Sequence, residues 1–253
     1  MPRKRFLASG VLPLLLMAGL MPPLLTCSPA AFAESDLQEL QPAVGGEWQL
    51  IRNDRRNQVR TYAKREDNQR IRSFRVDAVL NTRMAAIAHV LTDFPNYTKW
   101  YWEVQESRLL KQASPTDFYL YLVHRAPYGL PNRDVILHAV IEPQRPGQAG
   151  ATIQVRSDPD YLPETPGLVR MPAENMTIRF TPLPRQQVRI EAEGFIDPGG
   201  KVPSWDANLI QRNAPYNVVM GFQRMVLKEE YRNSTAPLPF PVHDFDAANN
   251  GQD

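Results

Sequence analysis

Few residues in this sequence have the types and spacing that catalysis or metal binding requires. Its four histidines are His89, His124, His138 and His243, and none of them has metal-ligand spacing. His124 and His138 fall on neighbouring predicted strands, but the alternation of apolar residues places their side chains on opposite faces. The sequence also lacks a glycine-rich phosphate loop, a Gly-x-Ser-x-Gly elbow and a His-Glu-x-x-His motif. We therefore predict no catalytic residue, no metal site and no cofactor.

A charged pair, Arg133-Asp134, follows a loop of Pro, Gly and Asn and begins a run that is apolar except for one histidine. The pair could anchor a ligand, take part in chemistry or only hold the loop. Asp134 has the opposite strand parity to Ala139, which we expect to face inward, whereas Arg133 shares its parity. We interpret the pair as structural, with the guanidinium of Arg133 forked onto a carboxylate such as Asp93 or Glu103.

A group of aromatic residues could form a ligand site. Its members are Phe94, Tyr97, Trp100, Tyr101 and Trp102. At helical spacing, packing in the core is the more common role of such a group, and we favour it. The Asp and Glu residues are scattered along polar faces, and we predict that nearly all of them are solvated.

The elements that would position these residues are mostly β-strands. Alternating apolar and polar residues, bounded by Pro/Gly turns, predict nine strands. They cover residues 48–51, 59–63, 73–78, 103–110, 117–124, 133–141, 151–157, 176–181 and 187–195. The loop at 158–172 holds four prolines, and its length indicates a binding loop or a rim. A sheet of about nine antiparallel strands is too wide to stay flat, so we expect it to curl.

Three helices complete the predicted fold. The first is capped by Asn81 or Thr82, and Asp93 caps a second, short helix. The third is a long amphipathic helix at residues 204–232, in which Pro215 must produce a kink or a break. This helix can lie in the curl of the sheet. We therefore predict an α+β fold in which a curved antiparallel sheet grips a long C-terminal helix.

The first 33 residues have the features of a secretory signal. A basic start and a long apolar run precede small residues at a cleavage site after Ala33. Prolines interrupt the run, which disfavours an uncleaved membrane anchor, and Thr26 is a poor match for lipidation of Cys27. We expect export to the periplasm or the extracellular space, and cleavage would remove Cys27, the one cysteine of the chain.

The remaining chain is assigned to one domain at 47–233, between a polar lead-in at 34–46 and a disordered tail at 234–253. The predicted cleavage removes three of the 29 basic residues and none of the 27 acidic ones, which leaves a net charge of −1. Without an excess of basic charge, we expect neither nucleic-acid binding nor a polybasic membrane patch.

Three stretches, in this order and with predicted strands between them, resemble the START lipid-binding family. An Asp and a later Trp in residues 91–100 resemble a helix of that family, and PNRDV at 131–135 resembles its Pro-Arg-Asp-aromatic segment. VPSW at 202–205, with Asn208, resembles the start of its C-terminal helix. The resemblance extends over about residues 48–232. It implies a helix-grip fold with a closed tunnel that holds one lipid beneath a lid.

The inner faces of the strands and of the last helix would line that tunnel. They consist of Leu120, Leu122, His124, Val135, Leu137, Ala139, Ile153, Val155, Ile178, Phe180, Ile190, Val219, Phe222 and Val226. Such a lining is mostly apolar and suits a lipid, and His124 is the one inward polar group that we assign to a headgroup. The same residues could instead fill a solid core, since protein interiors are close-packed. The family resemblance favours the tunnel.

Two positions depart from the pattern of sterol-carrying START proteins. Those members place an acidic residue on the strand before the Arg-Asp loop and a second arginine six residues after the first. The matching positions here are Leu122 and Ala139, and both are apolar. We therefore expect a phospholipid, a fatty acyl chain or another hydrophobic molecule rather than a sterol.

The predicted function is the binding of one hydrophobic ligand, for carriage or sensing, by a non-enzymatic monomer that contacts membranes transiently. One alternative is a helix-grip enzyme, a cyclase or hydrolase with a hydrophobic substrate, in which His124 is the only evident acid or base. Another is a structural or interaction domain with a filled core. A cavity smaller than about 300 Å³ would favour the filled core.

Overall fold

The structure is a computed structural model that describes residues 47–65, 72–127, 129–145, 148–201 and 204–245, without the side chains of 204–211. The predicted signal sequence, the lead-in at 34–46 and residues 246–253 of the predicted tail lie outside the described residues. None of the helices in the described ranges combines the length and the hydropathy that crossing a membrane requires.

Ten strands are present in the described ranges, and each predicted strand corresponds to one of them. They are β1 (Gln49–Asp54), β2 (Val59–Arg65), β3 (Arg72–Leu80), β4 (Val104–Ser114), β5 (Asp117–His124), β6 (Arg133–Glu142), β7 (Ala151–Ser157), β8 (Val169–Arg170), β9 (Ala173–Leu183) and β10 (Gln187–Asp197). The additional strand is β8, which lies within the loop predicted at 158–172. It pairs in parallel with the start of β6.

One curved sheet contains all these strands in the order β1-β2-β3-β10-β9-β7-β6-β5-β4, with β8 beside β6. Neighbours in this order pair antiparallel. Each strand has its own right-handed twist, and these twists add up across a sheet of this width, so the sheet curls. The predicted curved antiparallel sheet with a C-terminal helix is confirmed.

The helices are α1 (Met84–Thr92), a 3₁₀ helix (Phe94–Lys99), α2 (Ser204–Val226) and the short α3 (Glu229–Arg232). α2 continues through Pro215, so of the predicted kink or break the break does not occur. α2 packs against β2 and β3. It also approaches the 3₁₀ helix closely. A Cβ atom at Gly221 would lie 2.2 Å from the carbonyl oxygen of Trp100, so only glycine allows this contact.

The start of α1 differs from the prediction. Neither Asn81 nor Thr82 is the N-cap residue; Arg83 holds that position and makes no side-chain capping hydrogen bond. Instead, the backbone N–H of Met84 donates to Oδ1 of Asp244 at 2.8 Å. A carboxylate at this position satisfies a free N–H group and interacts favourably with the helix dipole.

Asp244 belongs to the segment that was predicted to be a disordered tail, and residues 234–245 of that segment contact the domain. Phe240 is buried, and the Gln144 side chain exchanges two hydrogen bonds with the backbone of His243. This part of the chain therefore differs from the prediction. Composition indicates low hydrophobicity on average, but it does not show that one aromatic ring and one carboxylate have specific partners.

Candidate functional site

α2 does not fill the concave side of the sheet, and a cavity of about 510 Å³ remains between them. Its wall is formed mostly by apolar side chains of β3, β5, β6, β7, β9, β10, the 3₁₀ helix and α2. The volume exceeds the limit of about 300 Å³ below which a filled core would be favoured. The interior of this domain is therefore hollow.

Most of the residues predicted to face a tunnel line this cavity. They are Leu120, His124, Leu137, Ala139, Ile153, Val155, Ile178, Phe180, Ile190, Val219 and Phe222. Three others, Leu122, Val135 and Val226, are instead buried in the close-packed core beside it. Leu122 and Val135 are cross-strand partners. Strand parity predicts the face on which a side chain lies, but not whether other side chains cover it.

The aromatic group belongs both to the core and to the cavity. All five of its residues line the cavity, and Phe94, Tyr97 and Trp100 are also buried in the core. The ring centroid of Trp100 lies 5.1 Å from that of Phe222 on α2. The predicted core role is therefore incomplete, because the same rings that tie the 3₁₀ helix to α2 also form the cavity wall.

Three polar side chains at one end of the cavity contact one another, and we call them the polar cluster. Glu174 lies at the start of β9, His124 at the end of β5 and Tyr101 just after the 3₁₀ helix. The Tyr101 hydroxyl donates to Oε1 of Glu174 at 2.5 Å. Nε2 of His124 lies 3.4 Å from Oε2 of Glu174. The cluster therefore joins three separate elements at a single carboxyl group.

The hydrogen bonding of the polar cluster is incomplete. Oε2 of Glu174 and Nε2 of His124 face each other at 3.4 Å without a well-formed hydrogen bond, and neither atom has another partner within the described residues. Glu174 is only 1% exposed. A buried acceptor without a partner costs about 1–3 kcal/mol. Native structures contain few such groups, and each requires an explanation. Contact with a bound molecule would explain the free oxygen of Glu174, because Glu174 is part of the cavity wall.

The ionisation of the cluster follows from its contacts. Burial raises the pKa of the Glu174 carboxyl, but His124 and the hydrogen bond from Tyr101 together outweigh burial, and the pKa lies below its ordinary value. Burial and the charge of Glu174 hold the pKa of the Tyr101 hydroxyl well above its ordinary value. At neutral pH the pair is therefore a carboxylate that accepts and a phenol that donates.

The sequence prediction missed Glu174 and Tyr101 as polar groups of the cavity. The strand was predicted to begin at Met176, whereas β9 begins at Ala173. Glu174 has the same parity as Met176 and Ile178, which both line the cavity. Extending the strand toward its N-terminus by one period would have placed this carboxylate on the inner face.

Asp134 lies on the opposite face of the sheet and is fully buried. Arg170 donates to both of its oxygens, from Nε to Oδ1 at 3.1 Å and from Nη2 to Oδ2 at 2.9 Å. The Tyr121 hydroxyl donates to Oδ2 at 3.2 Å. Arg170 also donates to three carbonyl oxygens of the loop at 158–172. We call Asp134, Arg170 and Tyr121 the loop cluster, because they fix this loop to the sheet.

Arg133 lines the cavity and is buried, but its described hydrogen bonds differ from the prediction. Its Nη1 donates to the carbonyl oxygen of Pro131 at 2.5 Å, and its Nε donates to that of Pro198 at 3.4 Å. These bonds are to the main chain rather than to Asp93 or Glu103. They join the loop before β6 to the end of β10, which is consistent with a structural role for Arg133.

His138 lies on the outer face of the sheet, away from His124. Its Nε2 lies 2.9 Å from Oδ1 of Asp117, and its ring stacks on Tyr119 with a centroid distance of 4.3 Å. The predicted separation of His124 and His138 is thus confirmed. No group of three or more His, Cys, Asp or Glu side chains in the described part of the chain could hold a metal ion.

Comparison with known proteins agrees with this architecture. No family model matches the chain. An uncharacterised protein of Pseudomonas aeruginosa is 25% identical over 181 residues, which cover 72% of this chain and 87% of that protein. The STAR-related lipid transfer protein fragment from Xanthomonas axonopodis superposes with a TM-score of 0.64 and 28% identity, over 72% of this chain and 99% of that one. The fold is a START-like helix-grip fold.

A second solved structure has the same fold at lower sequence identity. Human StAR-related lipid transfer protein 5 superposes with a TM-score of 0.59 and 16% identity, over 78% of this chain and 93% of that one. The resemblance inferred from the three sequence stretches is therefore confirmed at the level of the START-like fold.

Proposed function

We propose that this START-like domain binds one molecule of a lipid in the cavity between the sheet and α2. The observation that supports the proposal is the cavity itself, which has a volume of about 510 Å³ and a mostly apolar wall. Small-molecule sites typically have volumes of about 300–1,000 Å³. An acyl chain that enters gains about 25 cal/mol for each Å² of apolar surface removed from water. The two solved structures above are named as lipid transfer proteins.

The proposed lipid is not a sterol. Leu122 is packed in the core and Ala139 lines the cavity, so the two positions matched to the sterol-binding charges are apolar. The acidic group in this cavity comes instead from β9. A lipid with an acyl chain suits the long apolar wall.

The proposed role is carriage or sensing of this lipid by an exported monomer. α2 and the 3₁₀ helix form one side of the cavity, and Trp100 and Phe222 hold them together. We expect a lipid to enter or leave between these two elements, and contact with a membrane surface would favour their separation.

Native mass spectrometry of the purified protein, followed by lipid analysis of its extract, tests the proposal. We expect one lipid molecule per chain. Ala192→Phe, which fills the cavity from β10, should abolish that mass increment, whereas Glu191→Phe on the exposed opposite face of the same strand should retain it. A protein that is empty and also takes up no fluorescent lipid would refute the proposal.

A helix-grip enzyme is the second candidate, and the polar cluster is the observation that favours it. A buried carboxylate beside an imidazole could act as a general base toward a hydrophobic substrate. Incubation of the protein with the extracted lipid, followed by mass spectrometry, distinguishes the two roles. A change in lipid mass that Glu174→Gln abolishes would indicate catalysis, and an unchanged lipid indicates binding alone.

A further inference from the structure

The polar cluster gives the cavity two different ends. On β9, Glu174 is six residues from Phe180, and on β5, His124 is six residues from Phe118. A strand rises about 3.3 Å per residue, so each phenylalanine lies about 20 Å along its strand from the cluster. The cavity wall between them is apolar. A lipid in this cavity therefore places its polar group at the cluster and its chain toward Phe118 and Phe180.

Glu174 determines whether the polar group of the lipid must donate or accept a hydrogen bond. Its Oε1 already accepts a hydrogen bond from Tyr101, whereas Oε2 has no partner among the described residues. An ionised carboxylate has only acceptor sites. A ligand atom that pairs with Oε2 is therefore a hydrogen-bond donor.

His124 adds a second requirement for the hydrogen bonding of the lipid's polar group. Its Nε2 is 3.4 Å from the free Oε2 and also lacks a partner in the described part of the chain. With a proton on Nε2, the imidazole donates, so an atom beside both groups should donate to Oε2 and accept from Nε2. A hydroxyl group does both, whereas an ether or ester oxygen can only accept.

The charges at this end of the cavity further restrict which lipid headgroup can bind. A fatty-acid carboxylate would lie against the carboxylate of Glu174, and like charges at short range repel. Arg133 is the cross-strand partner of His124 and lines the same end of the cavity. A cationic headgroup at this end would therefore lie near a like charge, which disfavours it.

We propose that Glu174, His124 and Tyr101 form a recognition site for an uncharged hydroxyl group on an acyl lipid. Glu174 accepts the hydroxyl proton at Oε2, His124 donates to the hydroxyl oxygen, and Tyr101 holds the carboxylate through Oε1. The site rests on the proposed function, because the lipid in the cavity presents the hydroxyl group.

Displacement of Nile red, a neutral apolar dye, from the purified protein tests the site. The competitors share one chain and differ only in the headgroup: 1-dodecanol, dodecyl methyl ether, dodecanoate and dodecyltrimethylammonium. We expect the alcohol to displace the dye at a concentration at least about tenfold lower than the ether, because the ether cannot donate to a charged acceptor. Equal potency of the alcohol and the ether would overturn the proposal, as would a preference for either charged competitor.

Variants of the polar cluster test whether it causes the preference for the alcohol over the ether. Glu174→Gln should reduce the alcohol-to-ether preference to about threefold or less. The matched control, Glu191→Gln, removes a carboxylate from the exposed face of β10 and should leave the preference unchanged. If Glu174→Gln does not fold, His124→Phe provides the same test by removing the donor. A preference that survives both folded variants would refute the assignment.

Nile red binding distinguishes a failure of the hydroxyl site from a failure of lipid binding in the cavity. If Nile red and all four competitors fail to bind, lipid binding in the cavity is refuted and the hydroxyl site with it. If Nile red binds but the headgroup makes no difference, the cavity still binds apolar molecules and only the hydroxyl site is refuted.

Discussion

Two buried carboxylates lie on opposite faces of the same sheet, and they differ in how their oxygens are satisfied. Asp134 accepts two hydrogen bonds from Arg170 and one from Tyr121. Glu174 accepts one from Tyr101, and its second oxygen has none within the described residues. A fully paired buried charge fixes one arrangement of the chain, whereas an incompletely paired one costs stability. The loop cluster therefore suits a structural role, and the polar cluster suits binding.

The surroundings of the two carboxylates differ in the same way. On the outer face, Tyr121, Val123 and Ile136 are buried and pack against Leu162 and Leu168 of the loop at 158–172. On the inner face, the polar cluster borders the cavity of about 510 Å³. The loop that was predicted to be a binding loop or a rim covers the solid face of the sheet.

The largest expected effect comes from breaking the loop cluster. Asp134→Asn leaves the Arg170 guanidinium buried without a charged partner, and removal of one member of such a pair costs about 3–5 kcal/mol. We expect the free energy of unfolding in urea to fall by that amount, with Nile red affinity unchanged in the folded fraction. A loss below about 1 kcal/mol would show that Asp134 is not structural.

Replacing both charges of the loop cluster should have a smaller effect than replacing one. In Asp134→Leu/Arg170→Met neither member is left as an unpaired buried charge, and apolar replacements of buried ion pairs are often neutral or stabilising. We expect the double variant to recover at least about 2 kcal/mol relative to Asp134→Asn in the same urea titration. A double variant as unstable as Asp134→Asn would mean that the bonds from Arg170 to the loop carbonyls, rather than the unpaired charge, dominate.

A still smaller effect on stability is expected from the polar cluster. Glu174→Gln keeps an acceptor for Tyr101 and removes a charge that is only partly paired, so we expect the free energy of unfolding to fall by about 1 kcal/mol or less. Thermal and urea unfolding of the empty protein would measure it. A loss as large as that of Asp134→Asn would contradict the contrast between the two carboxylates.

The smallest effect is a dependence of stability on pH. The pKa of Glu174 is lowered in the folded state from its ordinary value of 4.5. Its contribution to stability is therefore present above about pH 4.5 and is lost as the pH falls through the lowered pKa. Between about pH 5 and about pH 3, the wild-type protein should lose more stability in urea titrations than Glu174→Gln does. Parallel pH profiles would show that Glu174 is not a stabilising carboxylate.

Much of the cavity wall could be predicted from local patterns, but its polar end could not. Parity alone placed Ile178 and Phe180 on the inner face. The same pattern included Leu122 and Val135, which other side chains cover. Glu174 was missed because the strand was predicted to begin three residues too late. Tyr101 was missed because it follows a helix and has no strand parity. The partner of Asp134 is 36 residues away along the chain, a distance at which spacing gives no signal.

The sequence by itself determined the antiparallel sheet, the long terminal helix and the START-like order of elements, because alternation, turns and caps are properties of neighbouring residues. Only the tertiary structure decided that the interior is hollow and that one buried carboxylate is fully paired while the other is not. Both depend on how closely distant segments approach one another. That approach is set by the curl of the whole sheet and by the contact of α2 with Trp100 at Gly221, which no local stretch encodes.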